Sequence, residues 1–570
     1  MNLETLKDKS LLILKLLIAG FIIGAPSVLW LMGEEAAVYF TFTVFSLLSA
    51  LRIYANGKLW VSPLNYSMTA LLIYAALLSL FAKNHEGNLI YICSLAIALL
   101  FITVFFDYLR ENTQESMDRR LKYMLVASGA AVCCVNFIYW FFVALPVGDK
   151  FLFNLGFGSN DLLAIFIFAG IWSAVMLFNG ASAAVKRILV ILMLPMIAAW
   201  IMASSAVSYV FAGVIIVGFI VYKKAKIAFI PAAILCSAVL LIVLYGFFDT
   251  SAFNDAFLCG IHKPFGVGGG GFLSGQEMYA SRFYDGVTSL GLLANVVSSS
   301  GIFGFIILLI LFLREMYLLI KKQLFFSFVS LLTFCIVLFV PFTDFAAAIL
   351  FASGTMAYNE FICNGHISLQ LNEKKRARIC IALTAAGIIS ATLMCHALIR
   401  INGDRQYNNK NYSKAQDLYT IAANINITDA KSCRGIVSCM LDMGLTDEQK
   451  ALEYSAKAGK REKNNVTNMV QTALIMHKGE RYKESAQIWK ELILKAPHND
   501  NYKVMYAETL YEIVQSNERG SKETKDAYRE IVNISEKTAD LDAKKEINDL
   551  ADKAQEFNKG VLVNEGEAIN

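Results

Sequence analysis

Charged residues and histidines are scarce in this sequence. Of its 570 residues, 17% are Asp, Glu, Lys or Arg and 6 are His, whereas 56% are hydrophobic. Soluble globular domains carry about 25% charged residues, so this composition excludes an ordinary soluble protein. The 11 cysteines form neither a disulfide framework nor a zinc-ligand spacing. Most of them lie in apolar stretches, where a thiol acts as a small apolar group.

Long apolar runs occupy residues 1–400 and end at Ile399. A run of about 20 apolar residues crosses roughly 30 Å of hydrocarbon as a helix. The run at 188–222 is too long for one crossing at about 1.5 Å per residue, and serines interrupt its middle, so we predict a tight hairpin there. The predicted fold is all-α, with a membrane domain of about 12–13 transmembrane helices. The predicted spans are 10–33, 36–53, 61–82, 87–108, 123–147, 158–179, 188–203, 205–222, 227–248, 288–313, 323–341, 343–362 and 379–399.

Basic residues are distributed unevenly between alternate loops. With the N-terminus inside, the outer loops contain only Lys83, Lys150, Lys263 and Arg282. The inner segments contain Lys7, Lys9, Lys15, Arg52, Lys58, Arg110, Arg119, Arg120, Lys122, Lys186, Arg187, Lys223, Lys224, Lys226, Arg314, Lys321, Lys322, Lys374, Lys375, Arg376 and Arg378. This bias follows the positive-inside rule, and an odd number of spans places the C-terminal region outside. The net charge of +5 thus reflects topology, and we expect no nucleic acid as a partner.

Residues 401–557 change to a soluble helical pattern. Amphipathic segments come in pairs, and small residues recur in the second helix of each pair, at Ala415, Ala451, Ala486 and Ala527. The intervals resemble those of tetratricopeptide repeats, whose period is about 34 residues. That resemblance implies an α-solenoid with a concave surface for a protein or glycan partner; the alternative is a rigid spacer without a ligand. Residues 558–570 carry glycine and polar residues and are predicted to fray.

The longest predicted outer loop covers 249–287 and is rich in glycine. Glycines let a backbone approach a ligand closely and expose amides to an anion. His262 and Lys263 precede most of these glycines, and Arg282 and Asp285 follow them. A cationic, glycine-rich pocket at the outer face suits a lipid-linked diphosphate; the alternative is a re-entrant connection without a ligand. The acidic residues of the loop are scattered, so we expect no metal site.

Three further motifs accompany this loop. Residues 153–164 read FNLGFGSNDLLA before one span, the 188–222 hairpin has serines at its outer tip, and a Gly-x-x-Gly motif at 301–304 follows the loop. Within the loop, residues 264–272 read PFGVGGGGF, a stretch like Pro-x-x-G-x-G-x-x-x-F. In the order of these motifs, the chain resembles the O-antigen ligase and polymerase superfamily of bacterial membrane glycosyltransferases. Many members of that superfamily carry tetratricopeptide repeats after the last span.

The resemblance implies an enzyme of the bacterial plasma membrane. It would take a glycan from a polyprenyl-diphosphate carrier at the outer face and pass it to a lipid-linked glycan, a lipid core or a protein hydroxyl, without a metal or other cofactor. Such a transfer needs cations to hold the developing diphosphate charge and a base for the acceptor hydroxyl. The candidate site residues are His262 and Asp285 as base, Lys263, Arg282, Gly266 and Gly268 for the diphosphate, and Asn160, Asp161, Ser208 and Tyr209 lining the pocket.

Two positions depart from the family pattern. The hairpin tip reads Ser208-Tyr209 where the family usually has Ser-Arg, and residues 285–295 lack the histidine that the family often has there. These departures leave open a catalytically inactive membrane scaffold that recruits envelope proteins through its repeats. A lipid-linked glycan flippase or another transporter is a further alternative, since such proteins have a similar number of spans. A glycosyltransferase of the shape-elongation-division class would normally lack the repeat tail.

Overall fold

The computed structural model describes residues 8–18, 20, 34–110, 114–144, 146, 160–178, 180–247, 250–272, 290–340, 345–363, 367–463, 465–497 and 499–562. These residues are helical apart from turns, connections and one two-stranded sheet, which confirms the all-α prediction for this part of the chain. They divide into two compact units. The second unit consists of Lys83–Glu86 and the described residues from Ile399 onward, and the first unit consists of the remainder.

The first unit is built from a succession of apolar helices. It contains α1 (Glu34–Asn56), α2 (Pro63–Leu78), α3 (His85–Arg110), α4 (Gln114–Tyr139), α5 (Asn160–Phe178), α6 (Ala183–Met202), α7 (Ala206–Lys224), α8 (Lys226–Phe247), α9 (Thr250–His262), α10 (Leu292–Lys322), α11 (Phe325–Phe339), α12 (Phe345–Ile362) and the first part of α13 (Glu373–Asn408). A π-helical stretch, Trp140–Ala144, continues α4. Strands β1 (Lys58–Val61) and β2 (Ile367–Gln370) pair antiparallel, with Lys58 opposite Gln370.

Seven helices in the described part of the chain are long and apolar enough to cross a membrane: α1, α3, α4, α6, α7, α10 and α13. Shorter apolar stretches of 10–17 residues form all or part of α2, α5, α8 and α11. The predicted total of 12–13 spans stays a prediction, because the predicted spans at 10–33 and 123–147 include residues outside the described ranges.

The predicted hairpin at 188–222 is present as two helices, α6 and α7, with a three-residue connection before Ala206. Ser205 caps α7, since its hydroxyl accepts a hydrogen bond from the amide of Ser208. Such a cap satisfies one of the amides that the first turn of a helix leaves without a partner. The serines that interrupt the apolar run therefore start the second helix of the hairpin.

A buried ion pair ties together several elements of the first unit. Arg52 on α1 donates from Nε to Asp107 on α3 at 2.5 Å, and its side chain is 3% exposed. Asp107 also accepts from Asn56 Nδ2 at 3.0 Å and from Trp60 Nε1, on β1, at 3.4 Å. Arg52 Nη1 donates in addition to Ser10 Oγ at 3.0 Å. The carboxylate of Asp107 therefore joins α1, β1 and α3 through groups that burial would otherwise leave unsatisfied.

The second unit continues from α13 with shorter amphipathic helices. They are α14 (Tyr412–Ile425), α15 (Ala430–Asp442), α16 (Glu448–Arg461), α17 (Val466–Lys478), α18 (Tyr482–Lys495), α19 (Asp500–Ser516), α20 (Lys522–Glu536) and α21 (Leu541–Leu562). From α14 to α21, each helix packs against the next helix in the chain. The core contains small residues at the recurring positions noted in the sequence, such as Ala415, Ala451 and Ala486, and large side chains such as Trp489, which is 1% exposed.

A short segment after α2, Lys83–Glu86, whose last two residues begin α3, belongs to the second unit. Asn84 forms an antiparallel bridge with Glu462, and its Nδ2 donates to Glu462 Oε1 at 3.2 Å. The amide of Lys463 donates to the carbonyl of Lys83 at 2.9 Å. Main-chain pairing therefore holds this segment to the end of α16.

A cluster of three buried charges reinforces this pairing. Arg400 Nη1 donates to Glu86 Oε1 at 2.6 Å, and the same nitrogen lies 3.9 Å from Asp429 Oδ1. The side chains of Glu86, Arg400 and Asp429 are 3%, 9% and 0% exposed. Charges this deeply buried require close partners, because the loss of hydration is otherwise uncompensated.

We expect Glu86→Ala to destabilise the protein by about 2 kcal/mol, because it removes a carboxylate 2.6 Å from buried Arg400, whereas Asp429 lies farther away. The matched control is Glu453→Ala, which breaks an exposed pair with Lys457 at 2.7 Å and should cost about 0–0.5 kcal/mol. Thermal unfolding of the full chain in detergent checks both variants. Equal unfolding midpoints for the two variants would contradict the role given to Glu86.

Candidate functional site

The glycine-rich segment, residues 260–272, begins in the last turn of α9 and packs against α10. Helix α10 is interrupted at Gly301, where φ is 61° and ψ is −149°. At this break, the amide of Val267 donates to the carbonyl of Ser298, and the amide of Ile302 donates to the carbonyl of Pro264, both at 3.0 Å. The segment thus supplies hydrogen-bond partners to main-chain groups that the break in this apolar helix leaves without helical partners.

Two glycines make this contact sterically feasible. Gly266 has φ 80° and packs on the main chain of Ser299, where a Cβ would lie 2.6 Å from the Ser299 carbonyl carbon. A Cβ on Gly301 would overlap the carbonyl oxygen of Pro264 and lie 2.6 Å from Gly266 N. Only glycine adopts such dihedral angles readily and leaves room for a second backbone at this separation.

Several glycine amides of the segment are hydrogen-bonded to protein acceptors. Gly266 N donates to the carbonyl of Lys263 at 2.6 Å, Gly268 N to the carbonyl of Ser299 at 3.0 Å, and Gly269 N to Asn88 Oδ1 at 2.9 Å. The amides of Gly266 and Gly268, which the sequence assigned to a diphosphate, therefore bind carbonyls in this arrangement. The polar side chains next to these amides are the other groups that could hold an anion there.

Two polar side chains that could bind an anion lie at the end of α9. His262 is its last residue and is exposed, and Lys263 follows it with a partly exposed side chain. Lys263 is held through its main chain, because its amide donates to Cys259 and its carbonyl accepts from Gly266. Phe265 is 73% exposed and presents an apolar ring beside these polar groups. Arg282 and Asp285, the remaining predicted residues of the loop, lie outside the described residues.

The residues predicted to line a pocket form a second group, where α5 begins and the α6–α7 hairpin turns. Ser205 Oγ donates to Asp161 Oδ1 at 2.6 Å. Ser208 Oγ accepts from Trp200 Nε1 at 3.0 Å and donates to the carbonyl of Ser205 at 3.0 Å. The ring of Tyr209 packs edge-on against Trp200, with centroids 5.0 Å apart. The structure thus brings Asp161, Ser208 and Tyr209 together.

The remaining pocket residue, Asn160, is the first residue of α5, and its side chain lies outside the described part of the structure. The two groups of candidate residues are built on different helices. The first group lies at the end of α9 and in the segment that packs on α10; it consists of His262, Lys263, Gly266 and Gly268. The pocket group lies on α5 and on the α6–α7 hairpin.

A third polar group was not foreseen from the sequence. Glu315 on α10 is fully buried, and its Oε2 accepts from Asn359 Nδ2 on α12 at 2.8 Å. Asn359 Oδ1 accepts in turn from Ser327 Oγ on α11 at 2.7 Å. Glu360, 1% exposed, accepts from Arg314 Nε at 3.2 Å. The span predicted at 288–313 stopped just before these residues, whereas α10 continues to Lys322.

The described residues contain no group of three or more His, Cys, Asp or Glu side chains that could hold a metal ion. The candidate site therefore consists of His262 and Lys263 beside a glycine-rich segment that is packed on a broken helix. No protein-family model matches the chain, and no curated protein matches it.

Proposed function

We propose that the chain is an envelope glycan transferase of the bacterial plasma membrane. It would pass a glycan from a polyprenyl-diphosphate carrier to an acceptor at the outer face, as a ligase or a polymerase. The observation that carries this proposal is the fixed position of Lys263 and His262 at the end of α9, beside the packed glycine-rich segment. Exposed Phe265 next to them suits a site that meets the lipid part of such a donor.

In this reaction the acceptor hydroxyl oxygen forms a bond to the anomeric carbon, and the bond from that carbon to the diphosphate oxygen breaks. The hydroxyl proton passes to a base, His262 or Asp285, and the diphosphate-lipid leaves with the bonding electron pair. Lys263, with Arg282 from the same loop, would hold the negative charge that develops on the leaving group. Asn160, Asp161, Ser208 and Tyr209 would line the pocket. The amide and the carbonyl of Lys263 are both hydrogen-bonded, so its side chain is attached to a fixed backbone.

The proposed orientation places the N-terminus and the basic loops inside and the tail outside. The contacts of Lys83–Glu86 support it, because they join this loop to α13 and α16 of the tail and so require both on one side of the membrane. The orientation that the positive-inside rule favours for the whole chain places the loop with Lys83 on the outer side, in agreement with an outer tail. The packing of α14 to α21 in chain order supports a tetratricopeptide-like solenoid that would bind a protein or a glycan at its concave face.

The test uses a strain that lacks the chain and is complemented with single variants. We expect Lys263→Ala to reduce glycan–acceptor conjugates by about 10²-fold or more, because the leaving-group charge loses a cation. Lys263→Arg should restore most of the product, and Lys321→Ala, at the inner end of α10, should leave it unchanged. The envelope glycan profile is measured at equal membrane levels of each variant. A wild-type profile with Lys263→Ala and with His262→Ala would exclude this site.

A lipid-linked glycan flippase is the second candidate, favoured by the break in α10 and by the buried charges around Glu315. Interrupted helices and buried ionisable groups are typical of transporters. Purified protein in vesicles that contain a fluorescent polyprenyl-diphosphate glycan separates the two functions. Movement of the intact donor between leaflets indicates the flippase, and consumption of the donor with an added acceptor indicates the transferase.

A further inference from the structure

The two-stranded sheet lies next to the ends of several predicted membrane spans. Strand β1 follows the span predicted at 36–53 and ends where the span at 61–82 begins, and β2 precedes the span at 379–399. With the N-terminus inside, these span ends face the inner side. The sheet is therefore expected at the inner boundary between hydrocarbon and water.

One face of this sheet is apolar and partly open. Residues opposite each other in an antiparallel pair share a face, and the register places Leu59 opposite Leu369 and Val61 opposite Ile367. Val61 is buried, whereas Ile367 is 58% exposed and Leu369 is 42% exposed. Tyr54, at the end of α1, is 46% exposed. Exposed apolar and aromatic side chains at a predicted membrane boundary are typical of groups that contact lipid.

The sheet is joined to a group of basic residues at the start of α13. The amide of Leu371 donates to the carbonyl of Gly57 at 2.9 Å, and Lys58 lies opposite Gln370, so the start of α13 lies next to the turn before β1. This basic cluster consists of Lys58, Lys374, Lys375, Arg376 and Arg378. A single acidic residue, Glu373, occurs in the stretch 367–378.

The charges of the basic cluster are not neutralised within the described part of the chain. All members except Arg376 are exposed, and none of these forms an ion pair with a described residue. The guanidinium of Arg376 lies over the ring of Tyr54, 5.3 Å from its centroid. The five basic residues minus Glu373 leave a surplus of four positive charges.

Other charged groups near β1 do not reduce this surplus. The carboxylates that contact Trp60 and Ser62 are already paired with arginine, in the pairs Asp107–Arg52 and Glu360–Arg314. Arg110 lies over the ring of Trp60, 4.3 Å from its centroid, and adds a further positive charge. On the N-terminal segment that contacts Arg52, Asp8 and Lys9 carry opposite charges.

The combination of exposed cations and an apolar face identifies the chemistry of the partner. Basic residues next to a membrane attract anionic headgroups, and apolar side chains enter the boundary just below those headgroups. A free anion would contact the cations alone and leave Ile367 and Leu369 in water. An anionic phospholipid satisfies both parts of the surface at once.

We propose that the sheet and the start of α13 bind anionic phospholipids at the inner face of the membrane. The phosphate groups contact the basic cluster, and the acyl chains next to them cover Ile367 and Leu369. The inference rests on the membrane location proposed above and is independent of glycan transfer. Its residues differ from those of the candidate transfer site at His262 and Lys263.

The experiment uses the full chain in detergent with added phosphatidylglycerol, and with phosphatidylcholine of the same acyl chains as the neutral comparison. Native mass spectrometry counts the bound lipids, and the thermal unfolding midpoint is measured on the same samples. We expect phosphatidylglycerol to bind about 10-fold more tightly or better, because several cations contribute to the attraction. Raising the salt from roughly 0.1 to 1 M should weaken this preference, since exposed charges are then screened.

Two variants test the two parts of the surface. Lys374→Gln combined with Lys375→Gln and Arg378→Gln should lower the affinity for phosphatidylglycerol by about 10-fold or more. Ile367→Ser combined with Leu369→Ser keeps every charge and should lower the affinity about 5-fold, because the acyl chains lose apolar contacts. All five side chains are exposed, and the unfolding midpoint without lipid verifies that each variant is folded.

The matched control neutralises three exposed lysines where α7 meets α8, at another predicted inner loop: Lys223, Lys224 and Lys226. It loses the same charge and should bind phosphatidylglycerol as the wild type does. An equal loss of affinity in this control would overturn the proposal, because the attraction would then be general. So would equal binding of the two lipids by the wild type, or an equal rise of the midpoint with inorganic phosphate. The readout does not involve glycan transfer, so either proposal can fail while the other stands.

Discussion

Gly301→Ala is expected to destabilise the folded protein by about 3–5 kcal/mol, through strained dihedral angles and overpacking together. Alanine does not readily adopt φ 61° with ψ −149°, and its Cβ would overlap the carbonyl oxygen of Pro264. Relief of that overlap requires the glycine-rich segment to move away from α10. The hydrogen bonds from Val267 to Ser298 and from Ile302 to Pro264 would then be lost.

The matched control for this variant is Gly213→Ala. Gly213 lies inside α7, and a Cβ there would meet nothing within 4 Å. Alanine should stabilise that helix by about 0.5–1 kcal/mol, because glycine is a poor helix former. The two variants are compared by their thermal unfolding midpoints in detergent and by protease cleavage within residues 260–272. If Gly301→Ala unfolds at the same temperature as Gly213→Ala, the packing of the segment on the break is wrong.

The second large effect is expected at the buried pair of Arg52 and Asp107. Asp107→Ala should cost about 3–5 kcal/mol, because it removes the carboxylate partner of a guanidinium that is 3% exposed. Asn56 Nδ2 and Trp60 Nε1 would lose an acceptor at the same time. The measurement is again the midpoint of thermal unfolding in detergent.

A double variant distinguishes the cost of a lone buried charge from the net contribution of the pair. Arg52→Met with Asp107→Leu removes both charges, and replacement of a buried ion pair by apolar side chains is often neutral or stabilising. We therefore expect the double variant to recover most of the stability that Asp107→Ala loses. If the double variant is as unstable as Asp107→Ala, the loss does not come from an isolated charge on Arg52.

The features of the fold that the sequence predicted were those marked by long apolar runs and by the polar residues that interrupt them. Apolar runs predicted helices, and the serines inside the 188–222 run predicted a hairpin, which is present as α6 and α7. The break in α10 was not predictable, because Gly301 is one of several glycines in apolar stretches and only its contact with Pro264 distinguishes it. Sequence spacing does not reveal which distant backbone approaches a given glycine.

The candidate site was predictable only as a set of residue types. His262 and Lys263 lie beside the glycine-rich segment, and the amides of Gly266 and Gly268 donate to the carbonyls of Lys263 and Ser299, contacts that the sequence did not predict. Glu315 was missed for a related reason. The span was predicted to end at residue 313, whereas the helix continues to Lys322 and Asn359 on α12 provides a polar partner for Glu315.

The dependence of the glycine-rich segment on α10 has a consequence for protein synthesis. Residues 260–272 leave the ribosome before Ser298, Ser299 and Ile302, which provide much of their hydrogen bonding. Until α10 follows, the main-chain groups of the segment have no such partners. The segment can therefore reach its final arrangement only after α10 is made, so the His262–Lys263 pair acquires its fixed backbone late in folding. A chain truncated before residue 298 would leave this pair on an unanchored loop.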